Sequence, residues 1–257
     1  MTPQSPKSEF AHGTMQILRY NGPFYLSAVL LAAVGVAVLT LVRFPPILAF
    51  AGWFGVFLTL WWAFASLAAS WYVYDHSPLY KWQWLAELLP NAPREWANCH
   101  TGLDESTPAL RALFPGTSGR VFDFYDAETM TEPSIKRARE QTTPPEPPIP
   151  ARSDHIPLAG DTLDAAFLLF AAHEIREGAG RDGLFAEMRR VLKPGGRVIV
   201  VEHQRDLPNF VVFGPGFMHF WSPSEWRRIG RAAGLATVRE FAMTPFVRVF
   251  VWEKAGG

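Results

Sequence analysis

Two uncharged apolar runs near the N-terminus constrain this chain more than any other feature. The first covers residues 24–42 and the second residues 47–72, and the link between them is the four-residue segment Arg-Phe-Pro-Pro at 43–46. Each run reaches the roughly 18–20 residues that a helix needs to cross a bilayer. Neither run has the polar face expected of a helix on a soluble core. We therefore predict a transmembrane helical hairpin over residues 23–74; two buried helices of a soluble core are the alternative.

The charges that flank the hairpin predict its orientation. Lys7 and Arg19 precede it, Lys81 and Arg94 follow it, and only Arg43 lies in the tight turn. By the positive-inside rule, the N-terminal tail (1–22) and everything after the hairpin lie on the cytoplasmic side of an inner or cytoplasmic membrane. The first run is longer than the h-region of a cleaved signal peptide. Residues 75–94 are predicted as a helix that links the hairpin to the rest, with Ser77 as its N-cap.

Charge and cysteine content exclude two classes of protein. Lysine plus arginine and aspartate plus glutamate both number 24, so the formal net charge is zero. A nucleic-acid-binding protein needs a basic field, and this chain offers none. Cys99 is the single cysteine, which excludes a disulfide framework within the chain. Nucleic acid is therefore not a predicted partner, whereas the apolar hairpin predicts the lipid bilayer as one.

The clearest local pattern after the hairpin is a βαβ unit over residues 161–203. An apolar run at 165–172 indicates a buried parallel strand, and residues 181–192 have the apolar spacing of a helix. A Lys-Pro-Gly-Gly turn at 193–196 ends that helix, and a β-branched strand over 197–201 follows. The length is that of a crossover between neighbouring parallel strands.

The segments LDAAFLLFAAHEI and LFAEMRRVLKPGGRVIVVEH within this unit resemble the Rossmann-like, class I S-adenosylmethionine-dependent methyltransferases. They match that family's fourth strand, following helix and fifth strand, and the resemblance extends over roughly residues 95–252. It implies a methyltransferase domain over 95–257, with an α/β sheet covered by helices on both faces. It also implies S-adenosylmethionine as the cofactor. The remaining elements are predicted as strands over 95–99, 120–125, 235–241 and 247–252 and helices over 107–114, 134–140 and 224–233.

The resemblance implies where the methyl donor would bind, although the sequence departs from the family there. In place of a Gly-rich turn after the first strand, the chain has only Gly102 between acidic and polar residues. Asp123 or Asp126 would hold the ribose, with Asp126 preferred because the strand pattern stops there; Asp154 would contact the adenine. Capping and ordinary turn roles are the alternatives for these acids. The proline-rich run at 142–150 leaves the third strand missing, very short or displaced to about residue 151. The predicted donor-contacting residues are His100, Gly102, Asp104, Asp123, Asp126, Asp154, His155 and Phe170.

Acid–base residues at the ends of the fourth and fifth strands predict the reaction site. Ligands of open α/β sheets bind at the carboxyl ends of the strands, and His and Glu are the usual proton carriers there. An apolar loop over residues 210–221 would cover the acceptor, although a plain hydrophobic staple explains it equally well. The predicted catalytic residues are His173, Glu174, His203 and His219, and the predicted substrate-binding residues are Glu202, Arg205, Phe217 and Trp221. No metal is predicted.

Together these features predict a membrane-anchored S-adenosylmethionine-dependent methyltransferase that acts on a lipid-like or hydrophobic small molecule. One alternative is a methyltransferase of a small soluble acceptor such as a thiol, with the hairpin serving only for location. Another is a non-catalytic protein that uses the methyltransferase fold for interaction, which the reduced glycine content of the first loop favours.

Overall fold

The computed structural model describes residues 12–256. They form two compact units. A helical unit comprises residues 12–80 and 207–217, and a sheet unit comprises residues 81–206 and 218–256. Residues 207–217, which the sequence analysis assigns to the 95–257 domain, are thus part of the helical unit. Of the predicted tail at 1–22, residues 1–11 lie outside the described residues.

The helical unit is built on two long helices, α1 (His12–Leu41) and α2 (Pro46–Ser70). α1 begins well before the predicted boundary at residue 23 and contains Pro23 within it. Asp75 accounts for this early start, because its carboxylate accepts hydrogen bonds from the backbone N–H groups of Gly13 (2.7 Å) and Thr14 (2.9 Å). A carboxylate there satisfies free N–H groups and complements the helix dipole.

Both long helices carry apolar side chains on their surface. The most apolar 18-residue windows of the two spans have mean hydropathies of 2.4 and 1.8 and are 6% and 0% buried. Large side chains such as Leu31, Phe50 and Phe64 are exposed. The two helices are therefore long and apolar enough to cross a membrane.

The predicted linker helix over 75–94 is wrong. α2 is followed by a π-helical turn, Trp71–His76, and then by two short 3-10 segments, Leu79–Lys81 and Gln83–Leu88. Trp82 separates the two segments with a φ of 56°, which no α-helix accommodates. Ser77 lies at the end of the π-helical turn, where its hydroxyl donates to the carbonyl of Val73 (2.7 Å).

The sheet unit contains a seven-stranded sheet in the order β3-β2-β1-β4-β5-β7-β6. β1 to β5 run parallel, and β7 is antiparallel to both β5 and β6. The strands are β1 (Glu95–His100), β2 (Ser118–Asp123), β3 (Ile149–Pro150), β4 (Leu163–Leu169), β5 (Leu192–His203), β6 (Leu235–Thr244) and β7 (Val247–Lys254). This is the predicted Rossmann-like α/β sheet, with its last two strands as the predicted antiparallel pair.

Helices connect the strands and bury the sheet. They are α3 (Thr107–Leu113), α4 (Pro133–Gln141), α5 (Gly178–Val191) and α7 (Pro223–Ala232), while α6 (Leu207–Phe213) belongs to the helical unit. On one face, Phe185 of α5 and Trp226 of α7 pack with Trp252 of β7 in a fully buried core. On the other, Phe114 after α3 stacks on Phe167 of β4 at 6.0 Å.

Three strand boundaries differ from the prediction. β2 ends at Asp123, because the backbone N–H of Tyr125 turns back to the Asp123 carboxylate (3.0 Å). β4 ends at Leu169 rather than 172, since Phe170 adopts a φ of 55°. β5 begins at Leu192, which pairs with Leu163, so the Lys-Pro-Gly-Gly turn is an irregular start of the strand.

The other corrections concern the proline-rich run and the covering loop. The third strand is only two residues long and pairs with Phe122 and Asp123, at the edge where proline is tolerated. The predicted loop at 210–221 is largely helical: α6 covers its start, and a 3-10 segment, Gly214–His219, follows.

Candidate active site

The candidate site lies where the parallel strands end, beside the point at which the strand order reverses between β1 and β4. His100 ends β1, Asp123 ends β2, and Glu202 and His203 end β5. His173 and Glu174 lie on a 3-10 turn, Ala172–Glu174, directly after β4. The topology thus brings most of the predicted residues to one edge of the sheet.

The loop after β1 is organised by the buried carboxylate of Asp104. Its Oδ1 accepts hydrogen bonds from the Asn98 side chain (3.1 Å) and from the backbone N–H groups of Ser106 (3.2 Å) and Thr107 (3.0 Å). Asp104 therefore caps the first turn of α3, which is the alternative role that its sequence position suggests. Within residues 12–256, its buried Oδ2 and the buried Nε2 of His100 have no hydrogen-bond partner. Leaving buried polar atoms without hydrogen-bond partners costs free energy, so these two atoms are candidates to contact a polar ligand.

α4 covers the single glycine of that loop. Gly102 has a φ of 145°, and a Cβ there would lie 2.8 Å from Cγ2 of Ile135. The adjacent Arg139 pairs with Oδ2 of Asp123 at 2.7 Å and lies over the ring of Tyr125. The predicted ribose-binding acid at the true end of β2 is therefore already paired within the protein. Burial lowers the pKa of His100, although Asp123 opposes this shift.

Asp126 and Asp154 share a cleft of about 790 Å³ beside this loop. Its size falls within the range of small-molecule sites. Asp126 accepts from the backbone N–H of Glu128 (3.0 Å), which lowers the pKa of its carboxyl, and Asp154 pairs with Arg152 at 2.8 Å. Asp126 lies in the turn after β2. His155, a predicted cofactor-binding residue, directly follows Asp154 in the sequence and is exposed.

The strongest polar cluster joins β4 to β5. The fully buried Glu202 accepts hydrogen bonds from the backbone N–H groups of Ala172 (2.8 Å) and His173 (3.2 Å), and its Oε2 lies 2.6 Å from Nδ1 of His173. Burial would lower the pKa of His173, but Glu202 and Glu174 outweigh it and raise the pKa to about 10. In this arrangement both ring nitrogens of His173 are protonated at neutral pH, which disfavours its predicted role as a proton acceptor.

Glu174 and His219 extend this cluster. Oε1 of Glu174 lies 3.1 Å from Nε2 of His173 and 3.4 Å from Nε2 of His219. Burial opposes ionisation of Glu174, yet the two histidines hold its pKa well below the ordinary value. On its other side, Nδ1 of His219 lies 3.5 Å from Glu132 and 3.2 Å from the Arg176 guanidinium. Two predicted catalytic histidines and one glutamate therefore converge on a single point.

Three further predicted residues, His203, Arg205 and Trp221, contact other groups of the protein rather than the side chains of this cluster. His203 is buried and stacks on Phe220 at 4.9 Å. Arg205 donates to the carbonyls of Phe220 (2.8 Å) and Met218 (2.7 Å), so it holds the segment that carries His219. Trp221 donates from Nε1 to the carbonyl of His173 at 3.2 Å.

Two predicted residues lie in other environments. The ring of Phe217 packs on Phe210 at 5.1 Å in the helical unit. Phe170 lies in the turn after β4, with its ring 5.3 Å from that of His203. Neither ring contact involves the His173–Glu174–His219 cluster.

Three charged residues of the site were missed. Arg139, Arg176 and Glu132 contact Asp123 or His219 across long stretches of sequence. Arg139 falls in a short charged helix, where nothing in the local pattern separates it from a solvent-exposed arginine. Arg176 is the one with a local signal, since it directly follows the His-Glu pair in a strand-end turn.

Comparison with known proteins finds a family model that matches part of the sheet unit. Residues 122–200 match a family described as "Methyltransferase domain". No curated protein matches the chain at a significant level. A geranyl diphosphate methyltransferase, solved with GPP and sinefungin, has a TM-score of 0.50 at 15% identity, covering 68% of this chain and 78% of its own. This likeness shows a shared fold.

Two further solved structures show the range of proteins with similar structures. An S-adenosylmethionine-dependent methyltransferase from Aquifex aeolicus has a TM-score of 0.47 at 20% identity, covering 62% of this chain and 81% of its own. The [4+2]-cyclase SpnF has a TM-score of 0.49 at 15% identity, covering 70% of this chain and 82% of its own.

The residues of the sheet unit fit the cofactor that this domain uses, S-adenosylmethionine. The unpartnered Oδ2 of Asp104 is suited to the donor's ammonium group, and the cleft beside Asp126 and Asp154 has the volume of a small-molecule site. The matched segment, the strand order and the paired acids at the strand ends agree with one another. Residues 122–200 therefore match a methyltransferase domain, and they lie in a sheet with the Rossmann-like fold of the class I S-adenosylmethionine-dependent methyltransferases.

Proposed function

We propose that this protein is a membrane-anchored S-adenosylmethionine-dependent methyltransferase that acts on a hydrophobic small molecule. The observation that carries the catalytic part is the convergence of His173, Glu174 and Glu202 at the ends of β4 and β5, beside the unpartnered atoms of the first loop. A purely structural sheet edge has no need for so many buried ionisable groups, since each costs desolvation.

The chain's own residues would act mainly by binding and orientation. When bound, the cofactor supplies an activated methyl group. Asp104 and His100 would hold its amino-acid end, and Asp126 and Asp154 would hold the nucleoside in the cleft. Holding the acceptor in line and excluding water provides most of the rate gain in such displacements. Because Glu202 and Glu174 favour the protonated form of His173, we do not assign His173 as a proton acceptor.

The membrane-anchored part of the proposal draws on the helical unit. Trp61 of α2 donates from Nε1 to the carbonyl of Val211 in α6 (3.0 Å), and the rings of Trp62 and Phe210 lie 6.0 Å apart. α6 thus packs on an apolar helix, and in sequence it directly precedes the segment that carries His219. An acceptor dissolved in the bilayer suits a chain in which the segment that carries His219 directly follows, in sequence, a helix that packs on α2.

A two-step experiment tests the proposal on the full-length protein in lipid nanodiscs. Calorimetry with S-adenosylmethionine should give one binding site per chain. Transfer of a radiolabelled methyl group should then reach a product that partitions into organic solvent when a membrane lipid extract is supplied. Donor binding with methyl transfer only to water-soluble thiols would reject the hydrophobic acceptor and support the soluble-acceptor alternative.

A non-catalytic role is the second candidate, and one observation favours it. α4 packs on Gly102, and Arg139 already occupies Asp123. A protein that has given up the donor would tolerate such packing. Absence of donor binding in the calorimetry, by protein whose folding is verified by circular dichroism, would favour this candidate and reject the enzyme.

A further inference from the structure

Three side chains, two from the turn after β4 and one from the 3-10 segment that ends at His219, bring ligand atoms together. His173, Glu174 and His219 each offer one such atom, and the three atoms lie within 4.8 Å of one another. Nε2 of each histidine faces the same carboxylate oxygen, at 3.1 Å and 3.4 Å. Ligands bound to one ion at about 2.0–2.2 Å are separated by distances of this size.

The outer nitrogen of His173 lies beside a carboxylate, because its Nδ1 is 2.6 Å from the fully buried Glu202. Nδ1 of His219 is 3.5 Å from Glu132 but accepts its hydrogen bond from the Arg176 guanidinium at 3.2 Å. Metal-binding histidines almost always donate their other N–H to such a group, which fixes the ring and its tautomer. Glu202 is itself held by two backbone N–H groups, so the orientation of His173 is fixed by the fold.

We propose that His173, Glu174 and His219 bind a divalent first-row transition metal ion, of the zinc or iron class. Two imidazoles and one carboxylate are the donor set of such ions, whereas magnesium and calcium prefer sites made of oxygen atoms alone. The ion takes the place of the proton on Nε2 of His173, and that proton is released to solvent. Three protein ligands leave further coordination positions for water or an acceptor oxygen.

The competing account is an ion-pair network without metal. In that account a doubly protonated His173 bridges Glu202 and Glu174, and the Arg176 guanidinium, 3.2 Å from Nδ1 of His219, adds a positive charge. The two accounts differ in one measurable respect. A network of this kind needs no metal and shows no stoichiometric, ligand-dependent affinity for one.

Metal titration of the full-length protein in detergent separates the accounts. The protein carries no polyhistidine tag, is treated with a chelator, and is titrated with Zn²⁺ and with Co²⁺. One ion per chain is expected, with the ligand-field absorption of Co²⁺ bound to nitrogen and oxygen. E174Q and H219N should each lower the affinity at least about 100-fold, and E202Q by roughly 10- to 100-fold through the orientation of His173.

The matched control is H76N, which removes an exposed histidine outside the cluster and should leave both affinity and stoichiometry unchanged. Far-UV circular dichroism verifies that each variant is folded. The proposal is overturned if the parent protein binds no stoichiometric ion or lacks the Co²⁺ absorption, or if E174Q and H219N bind like the parent. This test does not involve S-adenosylmethionine, so its outcome is independent of the proposed methyltransferase activity.

Discussion

Asp104 uses its two carboxylate oxygens differently, and this allows its two roles to be separated. Oδ1 caps α3, whereas the buried Oδ2 has no partner within the described chain. Asp104→Asn keeps an oxygen acceptor for the cap but removes the charge. We expect S-adenosylmethionine to bind roughly 10- to 100-fold more weakly, the equivalent of one charge-assisted hydrogen bond, with little loss of stability. Calorimetry measures the affinity, and Asp161→Asn, at an exposed aspartate, is the control. Unchanged affinity would exclude Asp104 from the donor site.

Gly119 is required because a tryptophan ring occupies the space of a side chain. A Cβ at this position would lie 2.2 Å from Cζ2 of the fully buried Trp96. Gly119→Ala should lower the free energy of unfolding by about 1–3 kcal/mol, the usual cost of overpacking. Guanidinium unfolding followed by tryptophan fluorescence checks this value. Gly178→Ala, where the nearest atom to the new Cβ is 3.9 Å away, should be far milder. Equal losses in the two variants would contradict the overpacking argument.

At the scale of elements, the Glu187–Arg190 ion pair on α5 binds the segment that precedes β4. Oε2 of Glu187 accepts from the backbone N–H of Ile156 (2.8 Å), and the paired Arg190 donates to the carbonyls of Ile156 (2.9 Å) and Leu158 (2.7 Å). The hydrogen bond from Arg190 lowers the pKa of Glu187 below its ordinary 4.5. Because the folded state lowers this pKa, Glu187 stabilises the protein above about pH 4.5. That contribution is lost as the pH falls through the lower, folded value.

Glu187→Gln tests this dependence. The parent should be more stable than the variant near neutral pH, and the difference between their free energies of unfolding should shrink as the pH falls below 4.5. Denaturant unfolding at a series of pH values gives the difference directly. Glu140→Gln, at an exposed glutamate on α4, should show no such trend. A difference that grows towards acid would reverse the predicted sign.

α4 is the element that would compete with the methyl donor if, as proposed, the donor binds at the loop after β1. Arg139 ties α4 to Asp123 at 2.7 Å, while Ile135 covers Gly102. Arg139→Ala removes the ion pair, worth on the order of 1 kcal/mol, and should raise the affinity for S-adenosylmethionine about five-fold by easing the displacement. Lys136→Ala, an exposed change on the same helix, serves as the control in calorimetry. Weaker binding by Arg139→Ala would instead assign the arginine to the donor itself.

For the whole molecule, the hairpin predicts which parts of the chain face each side of a membrane. The native Cys99 is buried, and burial raises the pKa of its thiol, so the parent should not react with a thiol reagent. In intact cells, Phe44→Cys in the link between α1 and α2 should react with a membrane-impermeant maleimide. Ala255→Cys, exposed near the C-terminus, should react only after the cells are opened. Labelling of Ala255→Cys in intact cells would reverse the topology.

The sequence by itself determined the features that depend on neighbouring residues. The apolar runs predict two long helices, and the alternation around the Lys-Pro-Gly-Gly turn predicts strand, helix and strand in the right order. It also predicts that His173 and Glu174 follow one strand, as they do. Glu202 and His203, predicted to follow the next strand at 201, are instead its last two residues. The Rossmann-like sheet is confirmed as well, because its connections are local βα units.

Only the tertiary structure decided what depends on residues distant in sequence. Asp75 starts α1 from more than sixty positions away. A two-residue strand after a proline-rich run pairs with the last two residues of β2, and α6 packs on α2 instead of forming a loop over the acceptor. The meeting of His173, Glu174 and His219 likewise joins a strand-end turn to a segment beyond α6. A local sequence pattern indicates which residues are buried, but not which distant residues pack against them. The partners of these charged and capping groups are therefore fixed by packing and cannot be predicted from periodicity.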